Sequence, residues 1–276
     1  MKYLVTSATG DLAFNSVKFL IELVGKEKIA VTVRSLDKAK KLEDLGVEIK
    51  KADYFDKASL VTAFQGVNRV LFVSSGELDK RKEQHKNVVE ALIEANVDFV
   101  AYTSAPNVQK SKAIVAPDHK FTEHLIEESG LEYSFLRNNW YLENEAMLFD
   151  AIKNTTTYIY SAGDGKAGWA KKSDYAEGAA KVLAGDFMKK KIYEFSGQSL
   201  SYSELASLLQ KGKEYKINLD SVTDDEYRRV LETSGFPEGA INFIVGIQKD
   251  IREGELETSS TDLEDILGRE LKLDIT

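Results

Sequence analysis

A short stretch near the N-terminus carries residues that could bind a phosphate group. Residues 3–5 read as an apolar strand, and a run of small residues leads from this strand into a predicted helix. A helix N-terminus offers unpaired N–H groups and a partial positive charge to an anion, and a glycine there lets the backbone come close to a pyrophosphate. The residues expected to form this phosphate-binding turn are Thr6, Ala8, Thr9, Gly10, Asp11 and Leu12.

The match of this turn to a glycine-rich fingerprint is incomplete. Ser7 and Ala13 occupy the positions of the first and third glycines in a G-x-x-G-x-x-G spacing. Small residues can still form such a turn, but an ordinary strand-to-helix connection would have the same sequence pattern. The turn alone therefore does not decide between a nucleotide site and a simple connection.

The second predicted strand adds a signal for the type of nucleotide. Residues 29–33 are apolar or β-branched, and Arg34 follows at the end where a Rossmann domain places the residue that meets the adenosine ribose. An acid there selects NAD, whereas Arg34 with Lys38 could form charge-assisted hydrogen bonds to a 2′-phosphate. We therefore predict NADPH as the cofactor, with NADH less favoured. The alternative is that both cations are solvated charges on a basic stretch.

Polar or small residues also follow three further predicted strands. In an open parallel sheet, ligands bind outside the carboxyl ends of the strands, so these residues are expected to face one crevice with the phosphate-binding turn. Each could instead be a helix cap or turn residue, and only their shared position favours a binding role. These candidate cofactor-binding residues are Asp53, Ser74, Ser75, Gly76, Thr103 and Ser104.

Alternating apolar strands and amphipathic helices predict the element order that positions these residues. Helices are expected near residues 59–64, 80–95 and 118–130, between strands near 70–73, 99–102 and 131–137. This alternation indicates an α/β fold, a Rossmann doubly wound parallel sheet. After residue 140 the pattern changes, which suggests a smaller mixed α/β substrate lobe at the C-terminal side.

We predict a Rossmann domain over residues 1–135 plus about 170–187, and a substrate lobe over 136–169 and 188–276. Further helices are expected from about residues 202 and 224. Residues 106–117 lie between two prolines and are interpreted as a mobile flap, and residues 249–270 as solvated helix and loop.

The composition excludes several classes of chemistry. The 276 residues include no cysteine, so disulfides and thiolate catalysis are ruled out, and three histidines without a ligand spacing do not favour a catalytic metal. A net charge of −8 argues against nucleic acid as a partner. No apolar run is long enough to span a membrane, and we expect a cytoplasmic protein that acts on a small molecule and could form a homodimer.

Four further motifs resemble the NmrA-like atypical short-chain dehydrogenases, and within them the NADPH-dependent type 2 quinone oxidoreductases and triphenylmethane reductases. The motifs are Gln84-His85-Lys86-Asn87, Ala101-Tyr102-Thr103-Ser104, the segment from Leu136 to Asn144, and Ala162-Gly163-Asp164-Gly165-Lys166 followed by Asp174-Tyr175-Ala176. The resemblance spans most of the chain. It implies that Asp53 lies near the adenine, that residues 74–76 lie along the cofactor, and that residues 138–141 lie beside the nicotinamide and substrate, with Asn138 against the cofactor.

The sequence departs at one important place from the short-chain dehydrogenases that reduce ketones. Those enzymes use a Tyr-x-x-x-Lys pair to protonate the carbonyl oxygen, whereas here Ala116 stands four residues before Lys120. A quinone needs a dedicated acid less, because its reduced form is an aromatic hydroquinone whose oxyanion is a weak base. Precise placement of the hydride donor against the acceptor could therefore suffice.

Several polar and aromatic residues are candidates for assisting that reaction. We predict Asn139, Tyr141 and His119 as catalytic residues, with Lys120 as a further polar candidate. Trp140, Tyr141 and Trp169 are predicted to wall the substrate, and the bulk of Trp169 could narrow the pocket. Core packing is the alternative for the aromatic residues, and a solvent-facing position is the alternative for His119.

The sequence thus favours an oxidoreductase that transfers a hydride from NADPH to a quinone or a similar electron-poor conjugated acceptor. A redox sensor of the NmrA type, which binds NAD(P) without turnover, is the alternative. A nucleotide-sugar epimerase is less favoured, because it normally needs the missing tyrosine.

Overall fold

A computed structural model describes residues 1–185, 190–212 and 216–274 of the chain. The strands are β1 (Tyr3–Val5), β2 (Ile29–Val33), β3 (Glu48–Lys51), β4 (Arg69–Phe72), β5 (Phe99–Ser104), β6 (Glu132–Asn138), β7 (Tyr158–Tyr160), β8 (Lys166–Gly168), β9 (Ile192–Phe195), β10 (Ser199–Ser201) and β11 (Leu219–Ser221). The α-helices are α1 (Asp11–Val24), α2 (Lys40–Glu43), α3 (Lys57–Phe64), α4 (Arg81–Glu94), α5 (Ala116–Glu128), α6 (Ala146–Asn154), α7 (Lys172–Ala184), α8 (Tyr202–Leu209), α9 (Asp224–Thr233), α10 (Glu238–Arg252) and α11 (Asp262–Leu267).

Seven parallel strands form the central sheet, in the order β3-β2-β1-β4-β5-β6-β9. Successive side chains of a strand point to opposite faces, so Val5 contributes to the core under α1 and α7, while Leu4 contributes to the core under α3, α4 and α5. Burial on both faces explains why the central strands β1, β2 and β4 are mostly apolar. The predicted doubly wound Rossmann sheet is confirmed.

A second, smaller core lies on the C-terminal side. It is covered by α6, α8 and α10, and it includes two short strand pairs, β8 with β10 and β7 with β11. Helices α8 and α9 begin at Ser201 and Thr223, whose side chains form capping boxes with Glu204 and Glu226. These caps fix the two helix starts that the sequence predicts near residues 202 and 224.

The structure groups part of the predicted substrate lobe with the large sheet. The expected substrate lobe includes residues 188–276, but β9 is a strand of the large sheet and pairs with β6. Leu263 and Ile266 of α11 are buried in the large core, so residues 249–270 are not simply solvated. A short apolar strand completes the sheet edge here, and the end of the chain returns to cover it. The predicted boundary at residues 187 and 188 lies outside the described residues.

Hydrogen bonds attach residues 106–117, the predicted flap, to the end of α10. The N–H of Ile114 donates to Asp250 Oδ2 at 2.8 Å, and the N–H of Lys112 donates to Glu255 Oε2 at 2.8 Å. Burial and the nearby carboxylate of Glu255 raise the pKa of Asp250 to about 6. The mobility of the segment stays a prediction, but two carboxylates hold its backbone in the described structure.

Candidate active site

A cleft of about 580 Å³ lies at the carboxyl ends of the central strands. That volume is typical of small-molecule and cofactor sites, and the position is where open α/β sheets bind ligands. The residues that line it are Ser7, Thr9, Gly10, Asp11, Leu12, Ala13, Thr32, Arg34, Ser35, Lys38, Ala52, Asp53, Tyr54, Val73, Ser74, Ser75, Gly76, Glu77, Arg81, Gln84, Tyr141 and Lys172. Most of the predicted cofactor-binding residues are among them.

The phosphate-binding turn forms without its first glycine. Ser7 adopts a left-handed backbone conformation with φ of 54°, which is uncommon for a residue other than glycine. Its carbonyl accepts a hydrogen bond from the N–H of Gly10 at 3.0 Å, and α1 begins at the next residue. A Cβ added at Gly10 would meet only the Ser7 carbonyl oxygen, at 3.5 Å, so packing within the protein does not require glycine there. The glycine instead leaves room on the cleft side.

Two residues of this predicted turn lie beneath the cleft rather than on its surface. Ala8 and Thr6 are fully buried. Thr6 Oγ1 accepts a hydrogen bond from the N–H of Val73 at 3.0 Å and donates to the carbonyl of Leu71 at 3.2 Å. These bonds join the ends of β1 and β4, so Thr6 supports the cleft floor and does not line it.

Cations line the outer end of the cleft, beside β2. Arg34 follows β2 directly, and Lys38 ends a short 3₁₀ turn that begins at Leu36. Arg34 Nη1 donates to Glu77 Oε1 at 2.7 Å. Asp53 also lines this part of the cleft, and one of its carboxylate oxygens accepts a hydrogen bond from the N–H of Phe55. The predicted pair of cations therefore lies in the same cleft as the phosphate-binding turn.

The polar residues after β4 and β5 are divided between the cleft and the protein interior. Ser74, Ser75 and Gly76 line the cleft as expected. Thr103 and Ser104 do not, because both are buried and their hydroxyl groups already have partners. Thr103 Oγ1 accepts from the N–H of Ser74 at 2.8 Å, and Ser104 Oγ donates to Glu123 Oε1 at 2.7 Å. Both are the last residues of β5, so neither is a helix cap or a turn residue, and their binding of a cofactor stays a prediction.

A hydrogen-bonded wall closes the inner end of the cleft. Arg81 Nε donates to the carbonyl oxygen of Ser75 at 2.8 Å, and the guanidinium lies 3.5 Å from His119 Nε2. His119 Nδ1 is 2.8 Å from the hydroxyl of Tyr102. Burial and the Arg81 charge lower the pKa of His119 to about 3. His119 is therefore neutral near pH 7 and lies behind Arg81, neither solvent-facing nor lining the cleft.

His85 holds the loop that follows β4. Its Nε2 accepts a hydrogen bond from the N–H of Ser75 at 2.9 Å, which places the ring proton on Nδ1, 2.8 Å from Thr122 Oγ1. Burial lowers the pKa of His85 well below its usual value, so the neutral ring is the stable form.

Of the predicted substrate-contacting block, only Tyr141 reaches the cleft surface. Its hydroxyl accepts a hydrogen bond from Asn138 Nδ2 at 3.2 Å. Asn138 is buried, and its Oδ1 has no hydrogen-bond partner among the residues that the structure describes. Burial raises the pKa of Tyr141, which keeps the phenol protonated.

Asn139 points away from the cleft, toward the C-terminal part of the chain. Its Nδ2 donates to the carbonyl of Leu256 and to Thr258 Oγ1, both at 3.0 Å, and its Oδ1 accepts from the N–H of Trp140 at 2.8 Å. Together with a contact from Nδ2 to Ser196 Oγ at 3.2 Å, these bonds use the whole amide to hold the chain after β6 against the segment near residue 256. In this structure Asn139 is therefore not positioned to contact a reacting atom.

The two tryptophans belong to the core of the smaller lobe. Trp169 is fully buried, and the indole N–H groups of Trp140 and Trp169 donate to Glu145 Oε1 at 2.9 and 3.0 Å. The hydroxyl of Tyr202 donates to the same carboxylate. Burial raises the pKa of Glu145, while these hydrogen bonds oppose that shift. Trp169 does not line the described cleft, because its indole is hydrogen-bonded to the Glu145 carboxylate in the core of the smaller lobe.

Among the cleft-lining residues that the sequence interpretation missed are Arg81, Gln84, Lys172 and Glu77. Gln84 belongs to a motif that carried the family resemblance, and it is buried with Oε1 unpartnered in the described part of the chain. Lys172 opens α7, with Nζ 5.8 Å from the centre of the Tyr141 ring and 3.8 Å from Asp11 Oδ2. The tertiary fold brings these four residues to the cleft from the loop after β4, from α4 and from α7, and no local sequence pattern indicates this. Lys120 is exposed and lies outside this cleft.

The residues that the structure describes contain no cluster of three or more His, Cys, Asp or Glu side chains that could hold a metal ion. Within the same ranges, none of the helices has the length and apolar character needed to cross a lipid bilayer.

Comparison with known proteins identifies the family of this chain. The sequence matches the NmrA-like family over residues 1–267. It is 33% identical to quinone oxidoreductase 2 of Escherichia coli over 265 residues, which cover 96% of this chain and 93% of that protein.

Two crystal structures share the fold. The Escherichia coli NADPH-dependent quinone oxidoreductase complexed with NADPH superposes with a TM-score of 0.93 at 32% identity, covering 98% of this chain and 96% of that one. Triphenylmethane reductase of Citrobacter sp., complexed with NADP(H), also gives 0.93, at 30% identity and with 99% and 97% covered. The predicted resemblance is confirmed, and the chain belongs to the NmrA-like family.

Proposed function

We propose that this protein is an NADPH-dependent oxidoreductase that reduces quinone-like acceptors by hydride transfer. The observation that carries the proposal is that Arg34 and Lys38 line the same cleft as the phosphate-binding turn. Relatives that cover nearly the whole chain are quinone and triphenylmethane reductases, two of them crystallised with NADPH or NADP(H). Their similarity extends over both lobes and not only over the nucleotide-binding half.

The residues of the cleft fit this cofactor. The start of α1 and the space left by Gly10 would hold the pyrophosphate, and Arg34 with Lys38 would hold the 2′-phosphate. Asp53 would lie near the adenine, and Ser74 to Gly76 along the dinucleotide. The partial positive charge of the helix end and the two cations complement a strongly anionic ligand.

The nicotinamide, when bound, supplies a hydride. The protein's own residues supply orientation. Because Asn138 donates to the Tyr141 oxygen, the phenolic proton of Tyr141 is free to donate to a ligand in the cleft. We propose that Tyr141 orients the acceptor in this way, that Asn138 orients Tyr141, and that water protonates the weakly basic product oxyanion.

The remaining predicted roles are more indirect. Asn139 and His119 would act by positioning, Asn139 by joining residue 140 to the C-terminal part of the chain and His119 by supporting Arg81. Substrate contact by Trp140 and Trp169 stays a prediction. We also propose that residues 136–169 and much of the chain after 196 form the substrate lobe, and that the protein is cytoplasmic and could form a homodimer.

The direct test is calorimetric titration of the purified protein with NADPH and NADH, followed by NADPH oxidation with benzoquinone in the same preparation. Tight NADPH binding with turnover supports the oxidoreductase. Tight binding without turnover on a panel of quinones and triphenylmethane dyes would favour the NmrA-type sensor. Binding of neither nucleotide would overturn the proposal.

Arg34→Ala tests the cofactor assignment within the proposal. Loss of charge-assisted hydrogen bonds to the 2′-phosphate, worth roughly 1.5–3 kcal/mol, should weaken NADPH binding about 10- to 100-fold. NADH binding should change less than about twofold, because it lacks that phosphate. Lys41→Ala is the matched control, since it removes one exposed positive charge nearby that does not line the cleft. Equal losses for both nucleotides would refute the role given to Arg34.

A further inference from the structure

An exposed ion pair crosses the mouth of the cleft. Arg34 follows β2, and Glu77 lies in the loop after β4. Strands β2 and β4 flank β1 on opposite sides in the sheet, so the 2.7 Å contact between Arg34 Nη1 and Glu77 Oε1 passes over the end of β1. The phosphate-binding turn begins at that end. A dinucleotide in this cleft would therefore meet the ion pair directly.

The ion pair is easily exchanged for another. The Arg34 side chain is 66% exposed and the Glu77 side chain 45% exposed. Exposed pairs of this type contribute only about 0.2–1 kcal/mol, because water and salt screen them. The backbone of Glu77 is held separately, since its N–H donates to Ser75 Oγ at 3.1 Å. The carboxylate can thus lose its partner without disturbing the loop.

We propose that Glu77 is a specificity-determining residue, a counter-ion that Arg34 exchanges for the 2′-phosphate of NADPH. The inference rests on the proposed function. A phosphate monoester carries nearly two negative charges and accepts bidentate hydrogen bonds from arginine, so it displaces a single carboxylate. NADH has no such phosphate, and with it Arg34 keeps Glu77 as its partner.

Glu77 therefore reduces the preference of the cleft for NADPH over NADH. Glu77→Gln keeps the shape of the side chain and removes its charge. We expect NADPH to bind about three- to fivefold more tightly to this variant, the size of an exposed ion pair, with NADH changed less than about twofold. Asp79→Asn is the matched control, because Asp79 is exposed in the same short turn and does not line the cleft.

A double variant separates exchange from general electrostatics. In an Arg34→Ala background, Glu77→Gln should tighten NADPH binding no more than Asp79→Asn does, because no ion pair is left to exchange. An equal effect of Glu77→Gln on NADPH and NADH, or one that persists without Arg34, would overturn the inference. A wild-type protein that binds neither nucleotide would instead remove the proposed function, and this inference with it.

Discussion

Two arginine–glutamate pairs of the same length have opposite surroundings. At the cleft mouth, Arg34 contacts Glu77 at 2.7 Å with both side chains about half exposed or more. Within the protein, Arg137 contacts Glu123 at 2.7 Å with side chains that are 7% and 0% exposed. The first pair is open to water and to any incoming anion. The second is enclosed between β6 and α5.

Both members of the buried pair also form hydrogen bonds with other side chains. Glu123 accepts two hydrogen bonds from Arg137, one from Ser104 and one from Gln109, and Arg137 also donates to Glu194. A buried charge is tolerated only when it is paired and hydrogen-bonded. Charge in the interior thus fixes the fold, whereas charge at the mouth remains available for a ligand.

The largest expected difference between the two regions is in stability. Glu123→Ala leaves the Arg137 guanidinium buried without its main partner, and we expect the free energy of unfolding to fall by about 3–5 kcal/mol. Urea denaturation of both proteins measures this loss. Glu128→Ala on the exposed side of the same helix is the control and should change stability by less than about 0.5 kcal/mol. A loss below about 1 kcal/mol for Glu123→Ala would show that the enclosed pair is as replaceable as the exposed one.

A second expected difference concerns acid. His119, one turn before Glu123 on α5, has its pKa lowered to about 3 by burial and by Arg81. The unfolded chain binds a proton near pH 6.5, so stability is complete above that pH and falls as the pH drops toward 3. At pH 5, protonation of His119 in the unfolded chain lowers the free energy of unfolding by about 2 kcal/mol.

His119→Gln should therefore flatten the decline in unfolding free energy between pH 7 and pH 5, measured by urea denaturation at each pH. Part of the decline should remain, because His85 is also buried with a lowered pKa. His124→Gln on the exposed side of the same helix is the matched control for replacing a histidine with glutamine. A wild-type profile that His119→Gln does not alter would mean that this ring is not held neutral by the fold.

The smallest expected effect is that of the exposed pair on stability. Arg34→Ala or Glu77→Gln should change the free energy of unfolding without nucleotide by no more than about 1 kcal/mol, because exposed ion pairs contribute little. The same urea titrations supply the measurement. A loss above about 2 kcal/mol from either substitution would assign this pair to the fold, and it would remove the contrast with Arg137 and Glu123.

The sequence by itself determined the family, the sheet and the outer half of the cleft. Buried strands, Gly10 and the cations after β2 are local signals, because a strand end and the following residues lie together in any doubly wound sheet. That is why Arg34, Asp53 and Ser74 to Gly76 were placed correctly in the cleft from the sequence. The left-handed Ser7 also formed the expected turn without glycine.

Only the tertiary structure decided which polar side chains face the cleft and which face the interior. Thr103, Ser104 and Asn139 carry the right chemistry, but Ser74, Glu123 and the chain near Leu256 occupy their hydrogen-bonding groups. Trp169 is drawn inward by the Glu145 carboxylate. Arg81, Lys172 and Glu77 reach the cleft from elements far apart in the chain. A buried polar group must find a partner, and that partner can be many residues away, where no local pattern can indicate it.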